Sequence, residues 1–320
     1  MRLSEFFNRA GTKKIVINSD IDGFLSGMIL QKYYDCEIVG FSNSKESIWL
    51  TPNIESVRTP VYIDIFINCP ETYCIDQHIV AYDNNHINRL LAYGTKLNPN
   101  LNVSRRTYIG DLGENANYYR KYPFGTVHFL IALMKEDGIE VEFNDLSQVY
   151  TVNGTNSQRY DTCPGQIIMR ADDALYSSLG PYEDNANEWW EILNQYNSEM
   201  IRRLIQYKNS CNRDLNREYK MTIGEFFQIG LNCDGQDGAF NTITNADGKT
   251  LQTRIVEYNR VINKIIGINM ELPNELVEHR GVAQRSFYND TNINNAFTYA
   301  FVCGPTKPGN AFSFTTIDIN

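Results

Sequence analysis

The sequence predicts an α/β chain in which an N-terminal domain built on a parallel sheet leads through a long connecting helix into a smaller α+β C-terminal domain. Three observations carry this expectation. Apolar runs repeatedly end in polar clusters, at Asn18, Asp20 and Asp22, at Asp76-Gln77-His78, and at Asp172-Asp173, the rhythm of buried strands delivering functional groups to one sheet edge. Residues 187–215 keep a spacing of three or four from Trp189 and Leu193 through Tyr196, Met200, Leu204, Tyr207 and Cys211 to Leu215, the pattern of one long helix. From about Tyr219 the pattern changes to short strands and polar turns, among them Asp234-Gly235, Asp237-Gly238 and Asp247-Gly248. The expected division is 1–185, 186–218 and 219–320.

The elements follow in order. Residues 1–10 set Leu3, Phe6 and Phe7 against Arg2, Glu5 and Arg9, a short amphipathic helix without the apolar core of a signal peptide. Ile15, Val16 and Ile17 form a strand that breaks into an acidic turn, and Phe24, Leu25, Met28, Ile29, Tyr33 and Tyr34 then recur at helical spacing. Residues 37–41 are a second strand, completing a β-α-β unit. After Pro60, residues 61–67 read as one continuous buried strand interrupted only by Asp64, and residues 72–75 as another that delivers Asp76-Gln77-His78. Residues 81–120 read as loop, and residues 124–134 as a helix apolar all round, with His128 a core histidine. Near the end, residues 297–302 and 311–317 read as a hairpin around a Gly- and Pro-rich loop.

Composition bounds the function. The chain has 320 residues, of which 42% are hydrophobic and 21% charged, values of an ordinary globular protein of two domains. No segment approaches the run of about 18 apolar residues that a membrane helix needs, so a cytoplasmic protein with no membrane partner is expected. The net charge of -9 supplies no overall electrostatic footprint for duplex nucleic acid. Seven cysteines without a Cys-x-x-Cys pair suggest neither a disulfide framework nor a zinc ribbon. The abundance of Asn and Tyr points to an AT-rich coding sequence, of viral or phage kind, and carries no chemistry. Nothing in these totals fixes an oligomeric state.

The acidic turn after the first strand is the strongest chemical signal. Asp20 and Asp22 stand two residues apart, and two unscreened carboxylates about 5 Å apart repel by roughly 3 kcal/mol at an effective dielectric of 20. A divalent cation removes that cost. The plainer reading of the same residues is that one of them caps the helix behind Gly23.

Taken together, Asn18-Ser19-Asp20-Ile21-Asp22-Gly23 with Ser26, the lone Asp64, Asp76-Gln77-His78 and Asp172-Asp173 have the order and rough spacing of the DHH phosphoesterase superfamily, which residues 13–180 resemble. Asp20, Asp22, Gly23 and Ser26 match its first motif and Asp64 its second. Asp76 and His78 match the third, and Asp172 or Asp173 the fourth. The resemblance implies a parallel sheet holding two Mn²⁺ or Mg²⁺ ions at its carboxyl edge. Asp64 would bridge them, Asp20 and Asp22 would each hold one, Asp172 or Asp173 would complete a site, and His78 would face the scissile phosphate. Two such ions generate hydroxide and neutralise the leaving oxygen. The chain departs from the family at Asn18 and Gln77, where an amide replaces a stronger ligand, and in the phosphate loop of the C-terminal domain, for which Arg280-Gly281 and the segment around Lys307 are the nearest substrate-binding candidates.

The implied activity is hydrolysis of a phosphodiester in a small nucleotide, a short oligonucleotide or single-stranded nucleic acid. Two alternatives stand beside it. One is a DHH fold whose catalysis has lapsed, leaving a nucleotide- or nucleic-acid-binding or structural protein. The other is a haloacid-dehalogenase-like phosphatase with Asp20 as nucleophile and Asp22 as acid, which gives Asp64 and Asp76-Gln77-His78 no role.

Overall fold

Alternation within short strands sets the layers. In β1 (Lys14–Asn18), Ile15 and Ile17 fall on one face and Val16 on the other, because successive strand side chains point to opposite sides of a sheet. β4 (Val61–Ile63) repeats this with Val61 and Ile63 against Tyr62, and β5 (Cys74–Ile75) with Ile75 against Cys74. Both faces are therefore apolar, and both are covered. The computed structural model describes residues 2–43, 46–109, 121–122, 124–141, 259, 263, 268–301 and 311–317.

On the first face lie α1 (Leu3–Ala10), α2 (Ile21–Tyr34) and α5 (Thr126–Glu136), contributing Phe6, Phe24, Leu25, Met28, Phe129 and Leu130 to one core. On the second lie α3 (Asn84–Tyr93) and α4 (Pro99–Asn102), with Ile87, Leu90 and Leu101. A small antiparallel sheet covers the rest of that face, in the order β8 (Val282–Phe287), β10 (Ala311–Thr316), β9 (Thr298–Phe301), with the short α6 (Asp290–Asn295) beside it. Phe297, Tyr299, Phe312 and Phe314 pack against Tyr62, Phe66 and Val80.

The main sheet has seven strands in the order β6-β5-β4-β1-β2-β3-β7, where β2 is Glu37–Ser42, β3 Ser47–Leu50, β6 Lys96–Leu97 and β7 Val277–Arg280. β6, β5, β4, β1 and β2 run parallel to one another, while β3 and β7 join antiparallel at one edge. The fold is thus mixed α/β with a mostly parallel sheet and a smaller antiparallel one. The described C-terminal residues share the core of the first 141: β7 extends the main sheet, and Phe301 N–H donates to the Ile79 carbonyl. No helix among the described residues is long and apolar enough to cross a membrane.

Several elements differ from the sequence reading. The strand expected over 61–67 stops at Ile63, because Asp64 takes a left-handed φ of 63° that no strand continues through. Residues 81–120, read as loop, contain α3, β6 and α4. α3 is capped by Asp83, whose carboxylate accepts from His86 N–H at 2.8 Å, and is ended by Gly94 at φ 68°. β3 went unread because four residues buried on both faces show no alternation. The helix over 124–134 and the pairing of the last two strands are as expected. The connecting helix over 187–215, the division at 218, Asp172, Asp173 and Lys307 lie outside the described residues.

Candidate metal centre

The strand order places the site. From β1 the chain winds one way to β2 and β3, then restarts at β4 on the other side of β1 and winds the opposite way to β5 and β6. α2, which follows β1, lies on one face, and α3, which joins β5 to β6, and α4 lie on the other; it is outside the carboxyl ends of the strands at such a reversal that an open sheet has its crevice. β1 delivers Asn18, Asp20 and Asp22 to that edge, β4 delivers Asp64, β5 delivers Asp76, Gln77 and His78, and β6 delivers Asn98 and Asn100.

Asp20 is the N-cap of α2, its Oδ1 accepting from Gly23 N–H at 2.9 Å. Gly23 is required there, since a Cβ would lie 2.3 Å from the Asn18 carbonyl oxygen. The plain capping role of Asp20 is therefore real and occupies one oxygen. The other, Oδ2, accepts from Asn18 Nδ2 at 2.7 Å. Asp22 reaches the start of the neighbouring α5, where Oδ2 accepts from Thr126 N–H at 2.7 Å and Oδ1 from Val127 N–H at 2.8 Å. A helix N-terminus is a favourable seat for an anion. Burial nevertheless pushes the Asp22 carboxyl up to about 7, with the Asp20 charge adding to the rise and the two backbone donors opposing it.

Asp64 is held in its left-handed conformation by its N–H donating to the Ile75 carbonyl at 2.7 Å. Such a residue stores about 1–3 kcal/mol of strain, and here the strain turns the carboxylate from the sheet into the crevice edge. Its Oδ1 accepts from Thr126 Oγ1 at 2.7 Å and its Oδ2 from Asn18 Nδ2 at 3.1 Å. Burial raises its pKa well above the carboxylate range, and the charges of Asp22, Asp20 and Asp76 raise it further. Beside it, Asp76 Oδ1 meets His78 Nδ1 at 2.7 Å, and Asp76 Oδ2 accepts from His78 N–H at 3.0 Å. The His78 side chain is 35% exposed, whereas Asp76 is fully buried.

The turn carrying Asp76 and His78 is braced from β6. Asn98 Nδ2 donates to Asp76 Oδ2 at 3.1 Å and to the His78 carbonyl at 2.8 Å, and Asn100 Nδ2 donates to the Gln77 carbonyl at 2.8 Å. Ligand atoms of Asp64, Asp76 and His78 all lie within 4.8 Å of one another. Donors about 2.1 Å from one octahedral ion stand roughly 3–4 Å apart, so these three residues form a group able to hold a divalent cation. Gln77, between Asp76 and His78, is fully buried, and neither of its amide atoms has a hydrogen-bond partner among the described residues.

The structure thus brings together Asn18, Asp20, Asp22, Asp64 and His78, whereas no contact among the described residues joins the Gln77 side chain to them. Asn18 presents its amide nitrogen to the carboxylates, while its oxygen accepts from Ser19 N–H at 3.0 Å; the expected ligand atom is the one turned away. Arg280 ends β7, three strands from β1 and so about 14 Å across the sheet, with its side chain 68% exposed and 4.0 Å from Glu46. His128 is buried in the first turn of α5, its Nδ1 accepting from Gly125 N–H at 3.0 Å, a core residue as expected. Sequence reasoning missed Asp76 as a member of this group, Thr126 as a donor to Asp64, and the braces Asn98 and Asn100. The signal for the braces was Asn-Pro-Asn directly after a two-residue strand. No family model matches the chain, and no curated protein or solved structure matches it.

Proposed function

We propose that the chain is a divalent-metal-dependent phosphoesterase that hydrolyses a phosphodiester of a small nucleotide, a short oligonucleotide or single-stranded nucleic acid. One observation carries this: Asp64, Asp76 and His78 converge, within 4.8 Å of one another, at the point where the sheet reverses its strand order. Buried carboxylates at that density are costly unless a cation or protons compensate them. Mn²⁺ or Mg²⁺ suits the oxygen-rich donor set, and such an ion polarises a phosphoryl oxygen and acidifies water. The remaining work belongs to side chains. Asp76 fixes the Nδ1 side of the His78 ring, which would leave Nε2 as the nitrogen offered to the ion. Asn98 and Asn100 hold the turn so that this geometry is set before substrate arrives.

A second reading, a related fold that binds nucleotides without hydrolysing them, is favoured by the backbone donors that occupy both Asp22 oxygens. Hydrolysis of an aryl phosphodiester in Mn²⁺ separates the two. The parent protein should turn it over and Asp64→Asn should lose at least 100-fold in rate with its circular dichroism unchanged. Equal rates for both proteins would remove the site from the reaction, and Mn²⁺ binding without turnover by the parent would favour the second reading.

A further inference from the structure

The resemblance to a two-metal family implies a cation between the first-motif aspartates and Asp64, and the residues at that locus do not fit one. The Asn18 amide stands there instead. Its two N–H bonds go to Asp20 Oδ2 at 2.7 Å and to Asp64 Oδ2 at 3.1 Å, joining the same two carboxylates that a bridging cation joins. Its orientation is fixed, because Oδ1 is engaged by Ser19 N–H at 3.0 Å, and flipping the amide would set an N–H against an N–H. The other carboxylate of the locus is spoken for as well. Both oxygens of Asp22 accept backbone N–H groups of α5 at 2.7 and 2.8 Å, and a Cβ on Gly125 would lie 2.7 Å from Asp22 Oδ2, so α5 closes directly over that carboxylate.

We infer that Asn18 is a built-in substitute for the second cation, and that the crevice is a mononuclear site whose single divalent ion is held by Asp64, Asp76 and His78. The inference rests on the metal-dependent reading above and specifies its stoichiometry. The two loci share Asp64 but divide its oxygens. Oδ2 is taken by Asn18, and Oδ1 meets, among the described residues, only the Thr126 hydroxyl, a neutral donor that rotates to accept as readily as it donates. On the Asp76 and His78 side, ligand atoms of Asp64, Asp76 and His78 lie within 4.8 Å of one another, with no amide set between Asp64 and Asp76 among the described residues. One pair of carboxylates, Asp20 and Asp64, is thus joined by a protein amide, and the pair Asp64 and Asp76 is not.

The substitution also has a chemical consequence. An amide N–H pair neutralises no net charge, so a single ion must stabilise the developing charge of the reaction alone, and the second oxygen clamp of a two-metal displacement is absent.

Calorimetric Mn²⁺ titration, with the bound ion counted by electron paramagnetic resonance, tests this on the full chain. The parent should bind one Mn²⁺ per chain. Asn18→Asp should bind two, and the second ion should broaden the resonance through spin coupling to the first. Asn18→His, which adds no negative charge to the apoprotein, serves as the second variant should the aspartate hinder folding, and it should also bind two. Two ions in the parent would overturn the inference and leave the metal-dependent reading intact. One ion in the parent and in both folded variants would equally overturn it, because Asn18 would then not stand where a cation binds. No bound ion in the parent would instead remove the metal-dependent reading on which the inference rests.

Discussion

His86 shows what burial does to a titratable group outside the crevice. Its Nδ1 accepts from Tyr82 N–H at 3.2 Å, so its proton sits on Nε2, which faces the Tyr299 hydroxyl at 3.1 Å, and that hydroxyl donates to the Val80 carbonyl at 3.1 Å. A second proton on the ring would oppose the Tyr82 N–H. Burial, with the charge of Arg89 added, pushes the His86 pKa down to about 4. Between that value and the ordinary histidine value near 6.5, the unfolded chain binds a proton that the folded chain does not, so the stabilisation is complete above about pH 6.5 and is lost as pH falls toward 4. The loss is on the order of 3 kcal/mol. Urea unfolding of the parent and of His86→Gln should therefore show a stability difference that shrinks as pH falls from 7 to 4. A difference constant over that range would mean that His86 titrates alike in the folded and unfolded chain.

Among the elements, α5 ties the site together although it contributes no ligand. Its first turn holds Asp22 with two backbone N–H groups and Asp64 with the Thr126 hydroxyl, across 104 and 62 residues of chain. Gly125 leaves room for this, since a Cβ there would lie 2.7 Å from the Asp22 carboxylate oxygen. Gly125→Ala should destabilise the fold by about 2–4 kcal/mol, the range of a core overpacking that also disturbs a buried charge, and denaturant unfolding measures it; a change within about 0.5 kcal/mol would show that α5 and Asp22 separate without cost. The sequence made α5 visible through its unbroken apolar run, and made α2 visible through its acidic cap and helical spacing. It did not make visible that Asp22 serves α5, because a cap 104 residues away leaves no local pattern. α3 and α4 were missed for a different reason: their polar caps, Asp83 and Asn98, sit amid so many other Asn and Asp residues that they read as loop.

At the scale of the whole molecule, the crevice follows from topology. Five parallel strands end in polar residues at one edge, and the reversal between β1 and β4 sets the aspartates of both strands side by side. Alternation and strand-end carboxylates made the parallel sheet and the placement of Asp20, Asp22, Asp64 and His78 legible before any coordinates. The sharing of one core between the first 141 residues and the strands after 268 was not legible, because pairing between β3 and β7 joins segments more than 200 residues apart and each strand is only four residues long. The whole arrangement predicts where a cation sits. In crystals grown with Mn²⁺, an anomalous difference map should place one peak within bonding distance, about 2.0–2.3 Å, of Asp64, Asp76 and His78. A crevice without such a peak, or a peak held by Asp20 and Asp22 with Asn18 displaced, would contradict the metal centre described for this chain.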